Sequence, residues 1–241
     1  MQFTFDAYKA LISCLKENRY SICNYHKYMD YEKAVVLRHD VDFSLEKALE
    51  LAGLEYQERV TSTYFVLLST NFYNIFSAES TRILKEMINL GHEIGLHFDE
   101  SKYEINNESN LKRYVYREIE ILSKGLNYDI KTVSMHRPSQ WILDQGIEFE
   151  NVINSYSRRF FNDFKYISDS RMFWREDVIE IIESNKYDKL HILTHPFWYS
   201  FVEKSSKELL FDFISSSKVK NYDWLNENIR DLESILKKEY I

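Results

Sequence analysis

Four short strings of this sequence place metal-ligating and proton-transferring side chains close together. Arg38-His39-Asp40-Val41-Asp42 follows directly on the apolar run 34–37. Two carboxylates two residues apart at the end of a buried strand repel unless a cation or a proton shares them, and a metal is the natural solution. The competing reading is a loop in which Asp42 caps the helix that opens near Ser44, which leaves Asp40 and His39 without a task. The second string is Gly91-His92-Glu93-Ile94-Gly95-Leu96-His97-Phe98-Asp99. Along a strand His97 shares a face with Gly95 and Asp99, so His97 reaches a metal at the strand end while Gly95 leaves room beside it; His92 packs near the turn or bonds there. The third and fourth strings are Met135-His136-Arg137-Pro138-Ser139 and Leu193-Thr194-His195-Pro196. A cationic Arg137 near carboxylates keeps one ionised, the alternative being a surface salt bridge, and His195 beside an Asp exchanges a proton near neutral pH.

The elements that must carry these strings alternate in hydrophobic period. Strands are expected at 34–37, 61–68, 94–98, 131–135, 152–156, 165–168 and 190–194. Between them fall helices whose apolar residues share one face: Leu45, Ala48, Leu49 and Ala52 after a Ser44 cap, then Ile83, Leu84, Met87 and Ile88 up to Gly91, then Leu111, Val115, Ile119 and Leu122. A shorter helix is expected near 177–183, and Leu225, Ile229, Leu232 and Leu236 form the stripe of a C-terminal helix. Repeated strand-then-helix units imply a parallel sheet, either a (β/α) barrel or a doubly wound sheet, with its chemistry at the C-terminal strand ends. Six of the seven histidines fall in or just past these strands: His39, His92, His97, His136, His191 and His195. One domain over 1–241 is expected, its motif-bearing core at about 34–200, with an N-terminal and a C-terminal helix packed on it.

Composition narrows the partners. With 31 Lys and Arg against 38 Asp and Glu, and no long basic block, nucleic acid is excluded. No run reaches the ~18 apolar residues of a membrane span and no signal-peptide pattern opens the chain, so a cytoplasmic protein is expected. Cys14 and Cys23 read as reduced, packed thiols. The chain has only 5 Gly and 2 Pro, yet Gly91, Gly95, Pro138 and Pro196 lie inside the four strings. A sequence that otherwise builds its turns from Asn, Asp, Ser and Lys keeps these residues beside the chemistry.

The order Asp-Val-Asp, Gly-His-Glu-Ile-Gly-Leu-His, Arg137-Pro138, Asp169 and Trp174, Leu193-Thr194-His195 resembles the polysaccharide deacetylase family, also called the NodB-homology or carbohydrate esterase 4 (CE4) family. The resemblance implies a single-domain α/β fold, a distorted (β/α) barrel, and metal-dependent hydrolysis of an N-acetyl or similar acyl group on an amino sugar or carbohydrate precursor. The metal would be a divalent ion, zinc first, with cobalt, manganese or nickel as substitutes. By the same resemblance Asp40 is the catalytic base, Asp42 and His97 are metal ligands, Arg137 orients the base, and His195 is the general acid. Asp169 supports His195, and Trp174 with Pro138 lines the substrate pocket. Two departures matter. Val41 separates the two aspartates, and the position four residues after His97, where the family places its second metal histidine, holds Ser101. Either the third ligand comes from elsewhere, His136 first and Asp99 behind it, or metal binding is weak or lost. Two alternatives therefore stand beside the deacetylase: a catalytically degenerate carbohydrate-binding or scaffold member, and an amide hydrolase for a different small or lipid-linked substrate.

Overall fold

Each strand in residues 1–201 of the computed structural model, which describes residues 1–241, pairs in parallel with its neighbours. Intervening helices return the chain to the same edge of the sheet, the usual requirement for parallel pairing. In chain order the elements are α1 (Phe5–Glu17), β1 (Ser21–Cys23), β2 (Ala34–Val41), α2 (Leu45–Gln57), β3 (Thr63–Leu67), α3 (Ala78–Asn89), β4 (Glu93–Asp99), α4 (Glu108–Leu126), β5 (Thr132–His136), α5 (Gln140–Gln145), β6 (Ile153–Asn154), α6 (Arg158–Asn162), β7 (Lys165–Ser168), α7 (Val178–Glu183) and β8 (Lys189–Thr194). The strands lie in the order β6-β5-β4-β3-β2-β8-β7, and β1 joins the N-terminal half of β2. β1, three residues long, carries no periodicity to read and was absent from the sequence expectation.

The sheet curls into a distorted (β/α) barrel. Arg38 on β2 donates to Ser134 on β5 at 2.7 Å, and to Ser155, just after β6, at 2.8 Å. Strands three and four places apart would stand about 14–19 Å apart in a flat sheet, at ~4.8 Å per strand, so only curling lets one side chain span them. β6 and β7 do not pair; Phe161 bridges Tyr156 and Tyr166 across that opening, at ring separations of 5.5 and 4.9 Å. Two apolar layers lie between sheet and helices, one under α2, α3 and α4, the other under α1, α2 and α7. A third, smaller cluster includes Tyr25, Phe65, Phe160 and Phe164.

Alternation along β2 decides which residues meet the chemistry. Arg38 and Asp40, and beyond the strand Asp42, share one face, whereas His39 contacts Tyr8 and Glu55 on the helix side. Ser44 caps α2 through its own hydroxyl, which accepts from Lys47 N–H at 3.2 Å. Asp42 is thereby free of the capping task.

Gly95 leaves no room for a side chain. A methyl group there would lie 2.6 Å from the Phe65 ring and 2.5 Å from Thr132 Oγ1. Gly95→Ala is expected to lower stability by about 1–3 kcal/mol through overpacking, read as a reduced denaturant midpoint at an unchanged slope.

Residues 202–241 form a second compact unit, built from α8 (Ser206–Asn228) and α9 (Leu232–Ile235). Ser205 and Glu208 make a reciprocal capping box at the start of α8. The stripe Leu225, Ile229, Leu232 and Leu236 does not lie on one helix as expected. Ile229 is extended (φ −113°) and Asp231 is left-handed (φ 57°), so the chain turns between α8 and α9. Tyr222 holds the turn closed by donating to Leu236 O at 2.9 Å and to Glu233. No helix of the protein is long and apolar enough to cross a membrane.

Candidate metal and proton-transfer site

Three side chains converge past the C-terminal ends of β2, β4 and β5. His97 Nε2 lies 3.3 Å from Asp42 Oδ1, His136 Nδ1 lies 3.4 Å from the same oxygen, and the two ring nitrogens are 3.1 Å apart. A tetrahedral ion bonded at about 2.0–2.2 Å needs its ligand atoms roughly 3.3–3.6 Å apart, so this triangle has the size of one face of such a polyhedron. Asp42 Oδ1 is buried with no hydrogen-bond partner. A buried carboxylate oxygen facing two imidazole nitrogens fits a cation-binding role, and the O, N, N donor set suits zinc or a similar divalent ion.

The sequence departure at Ser101 has a local cause. Ser101 is exposed on the short helical turn after β4, and both its N–H (3.1 Å) and its hydroxyl (2.7 Å) donate to Asp99 Oδ1. Asp99 thus caps its own turn, and His136, its register partner on the neighbouring strand, is the third side chain of the triangle. The turn behind His136 is pinned: Ser139 donates its N–H and its hydroxyl (3.0 Å) to Glu100. Pro138 lies half-buried in that turn.

Asp40 stands beside the triangle, its Oδ2 3.8 Å from His97 Nε2. Burial opposes its charge, but Arg38 donates to both carboxylate oxygens, at 2.7 and 3.0 Å, and holds the carboxyl below its ordinary range. This corrects the assignment of Arg137 as the residue that orients Asp40. Arg137 is exposed, in left-handed backbone (φ 48°), whereas Arg38 is wholly buried and paired with Asp40. The signal for Arg38 was in the sequence: two residues before Asp40 on one strand, it shares its face.

His195, at the end of β8, is held from the far side by Asp169. The Nδ1 to Oδ1 distance is 2.6 Å, and His195 N–H (3.1 Å) and Tyr199 O–H (3.2 Å) donate to Asp169 Oδ2. Burial pulls the imidazolium's pKa down, but the Asp169 charge and hydrogen bond outweigh it and push it up to about 9. Trp174, expected to line the substrate pocket, packs into the apolar layer instead of standing exposed. It is 9% exposed, packed in the layer that holds Val178, Ile182 and Leu190, so its role is in the core. Of the six strand histidines only His97, His136 and His195 reach the site. His39 and His92 lie in the layer beneath the helices, and His191 is buried against Tyr25 at 2.6 Å.

No protein-family model matches the sequence, and no curated protein matches it. Among solved structures the chain is similar to CE4 proteins. A CE4 family pseudoenzyme from Bacillus anthracis is 14% identical over 78% of this chain and 62% of that one, with a TM-score of 0.45. A CE4 esterase from Streptococcus mutans is 14% identical over 82% and 84%, with a TM-score of 0.48. A family 4 acetyl xylan esterase from Clostridium thermocellum, solved with a cobalt ion, is 15% identical over 77% and 84%, with a TM-score of 0.41. The chain spans less than two thirds of the length of the pseudoenzyme. The family met here is the one that the sequence motifs resemble.

Proposed function

We propose that this protein is a metal-dependent hydrolase that removes an N-acetyl or similar acyl group from an amino sugar. The observation that carries the proposal is the cation-sized triangle of Asp42, His97 and His136 with Asp40, paired to Arg38, beside it and His195, paired to Asp169, close enough to feel the Asp40 and Asp42 charges. A divalent ion held by the triangle would supply a Lewis acid that polarises an acyl carbonyl and acidifies water. Asp40, kept charged by Arg38, takes a proton from the attacking water. His195, kept protonated by Asp169, gives a proton to the departing nitrogen. The two groups need opposite protonation states at one pH, and their separate partners, Arg38 and Asp169, provide them. The carbohydrate substrate rests on the motif resemblance.

Two measurements test the reading. Calorimetric titration with Zn²⁺ or Co²⁺ is expected to give one site per chain and a raised melting temperature, both lost in His136→Ala and retained in Ser101→Ala. Acetate release from N-acetylated amino-sugar oligomers by the metal-loaded protein is expected to follow the same pattern. Cation binding without acetate release from any such oligomer removes the deacetylase reading. Absence of cation binding removes the metal centre and leaves a non-catalytic member of the fold.

A further inference from the structure

On the helix side of the same strands lies a second polar cluster that takes no part in the chemistry above. Glu55 of α2 is wholly buried. Its Oε1 accepts from Tyr8 O–H at 2.6 Å and contacts His39 Nε2 at 3.0 Å; its Oε2 accepts from Ser62 Oγ at 2.5 Å and Tyr64 O–H at 2.8 Å, with His92 Nδ1 3.6 Å away. The other nitrogen of His39, Nδ1, lies 2.6 Å from Thr194 Oγ1. Burial opposes the Glu55 charge, but His39 leads the partners that hold its pKa at about 2. Thr194, His39 and Glu55 have the connectivity of a hydroxyl nucleophile, its base and the group that orients the base. With His39 and Thr194 at 0% and 1% exposure, no substrate reaches that hydroxyl, and nucleophilic chemistry is excluded.

We infer that Glu55 is a positioning residue that acts through His39 and Thr194 on Asp40 and His195. The inference rests on reading that pair as the proton-transfer groups. His39 and Thr194 are register partners and the last pair of the β2–β8 ladder. The next residues are Asp40, still in β2, and His195, extended just past β8, and alternation turns both to the opposite face. The side-chain bond between His39 and Thr194 therefore clamps the ladder at the point where both groups leave it, and Glu55 anchors the clamp to α2. A slip or splay at this point changes the separation of base and acid, and misplacement by about 1 Å costs on the order of 100-fold in rate.

Thr194→Val removes the hydroxyl at nearly constant shape, Thr194→Ser keeps it, and Tyr8→Phe removes a Glu55 bond without touching the clamp. In Thr194→Val, kcat is expected to fall roughly 10- to 100-fold with KM unchanged. The NMR titration midpoint of His195, read without metal, is expected to fall toward the ordinary histidine value. Thr194→Ser restores both, and Tyr8→Phe lowers the melting temperature while moving neither. If Thr194→Val does not fold, His39→Gln, which keeps a donor toward Glu55, replaces it in the comparison. An unchanged His195 midpoint in the Val or Gln variant, or equal effects in Tyr8→Phe, overturns the inference. A wild-type protein without hydrolase activity would defeat the deacetylase reading, and the His195 midpoints would still decide this one.

Discussion

Asp40→Asn is expected to lower kcat by roughly 10²–10⁴-fold, the range for removing a general base. It is also expected to lower stability. Arg38 has no exposed surface, and Asp40 is the carboxylate with which it pairs, at 2.7 Å. Removing one partner of a buried pair leaves an uncompensated charge, at a cost of about 3–5 kcal/mol. The two effects separate in the double variant Arg38→Met/Asp40→Leu, because replacing both members of a buried pair with apolar groups of similar size is often neutral for stability. The double variant should melt close to the wild type and remain inactive. Acetate release per folded molecule, with the folded fraction from circular dichroism, is the measurement. Activity in the double variant within about 10-fold of wild type would exclude Asp40 as the base.

The parts of this arrangement that could be read from sequence are those set by strand period. The seven expected strands all form, and the runs at 34–37 and 190–194 are buried on both faces as a covered parallel sheet requires. The strand-end residues Asp42, His97 and His136 lie within reach of one another, with Asp40 beside them, and Asp169, read only from the motif resemblance, pairs with His195. What alternation also contained, and motif resemblance obscured, is Arg38. An arginine is seldom wholly buried, so a basic residue inside a strand reads as a flank unless its same-face neighbour at i+2 is considered. Trp174 was obscured in the same way, because a loop tryptophan near a site motif packs inward as readily as it lines a pocket.

Other features depend on partners distant in sequence. Glu55 sits on a helix whose apolar stripe shows no sign of the five polar groups around it, which come from α1, β2, β3 and the segments just before β3 and β4. The presence of His136 in the triangle is likewise a matter of register. β4 and β5 pair so that Asp99 and His136 stand side by side, and no local signal sets that pairing.

Asp169→Asn is expected to move the alkaline limit of activity and to flatten the dependence of stability on pH. With its pKa pushed up to about 9, His195 is mostly protonated at pH 8. Without the Asp169 charge and hydrogen bond, burial is opposed only by the weaker pull of the Asp40 and Asp42 charges, and the pKa falls back toward its ordinary value of 6.5. At pH 8 the acid form falls from about nine-tenths toward the ~3% of an ordinary histidine, so kcat at that pH should drop by up to roughly 30-fold and recover in part toward pH 6. The stability effect has a definite sign. A histidine whose folded pKa exceeds its unfolded one stabilises the protein fully below pH 6.5, and the contribution disappears as pH rises through about 9. The gap between about 9 and 6.5 corresponds to about 3 kcal/mol. Denaturant melts of metal-free protein between pH 6 and 10 should therefore show wild-type stability falling across this window, with Asp169→Asn less stable at pH 6 and converging on it at pH 10. Parallel curves for the two proteins would mean that Asp169 does not hold the His195 proton, and the general acid would have to be sought elsewhere.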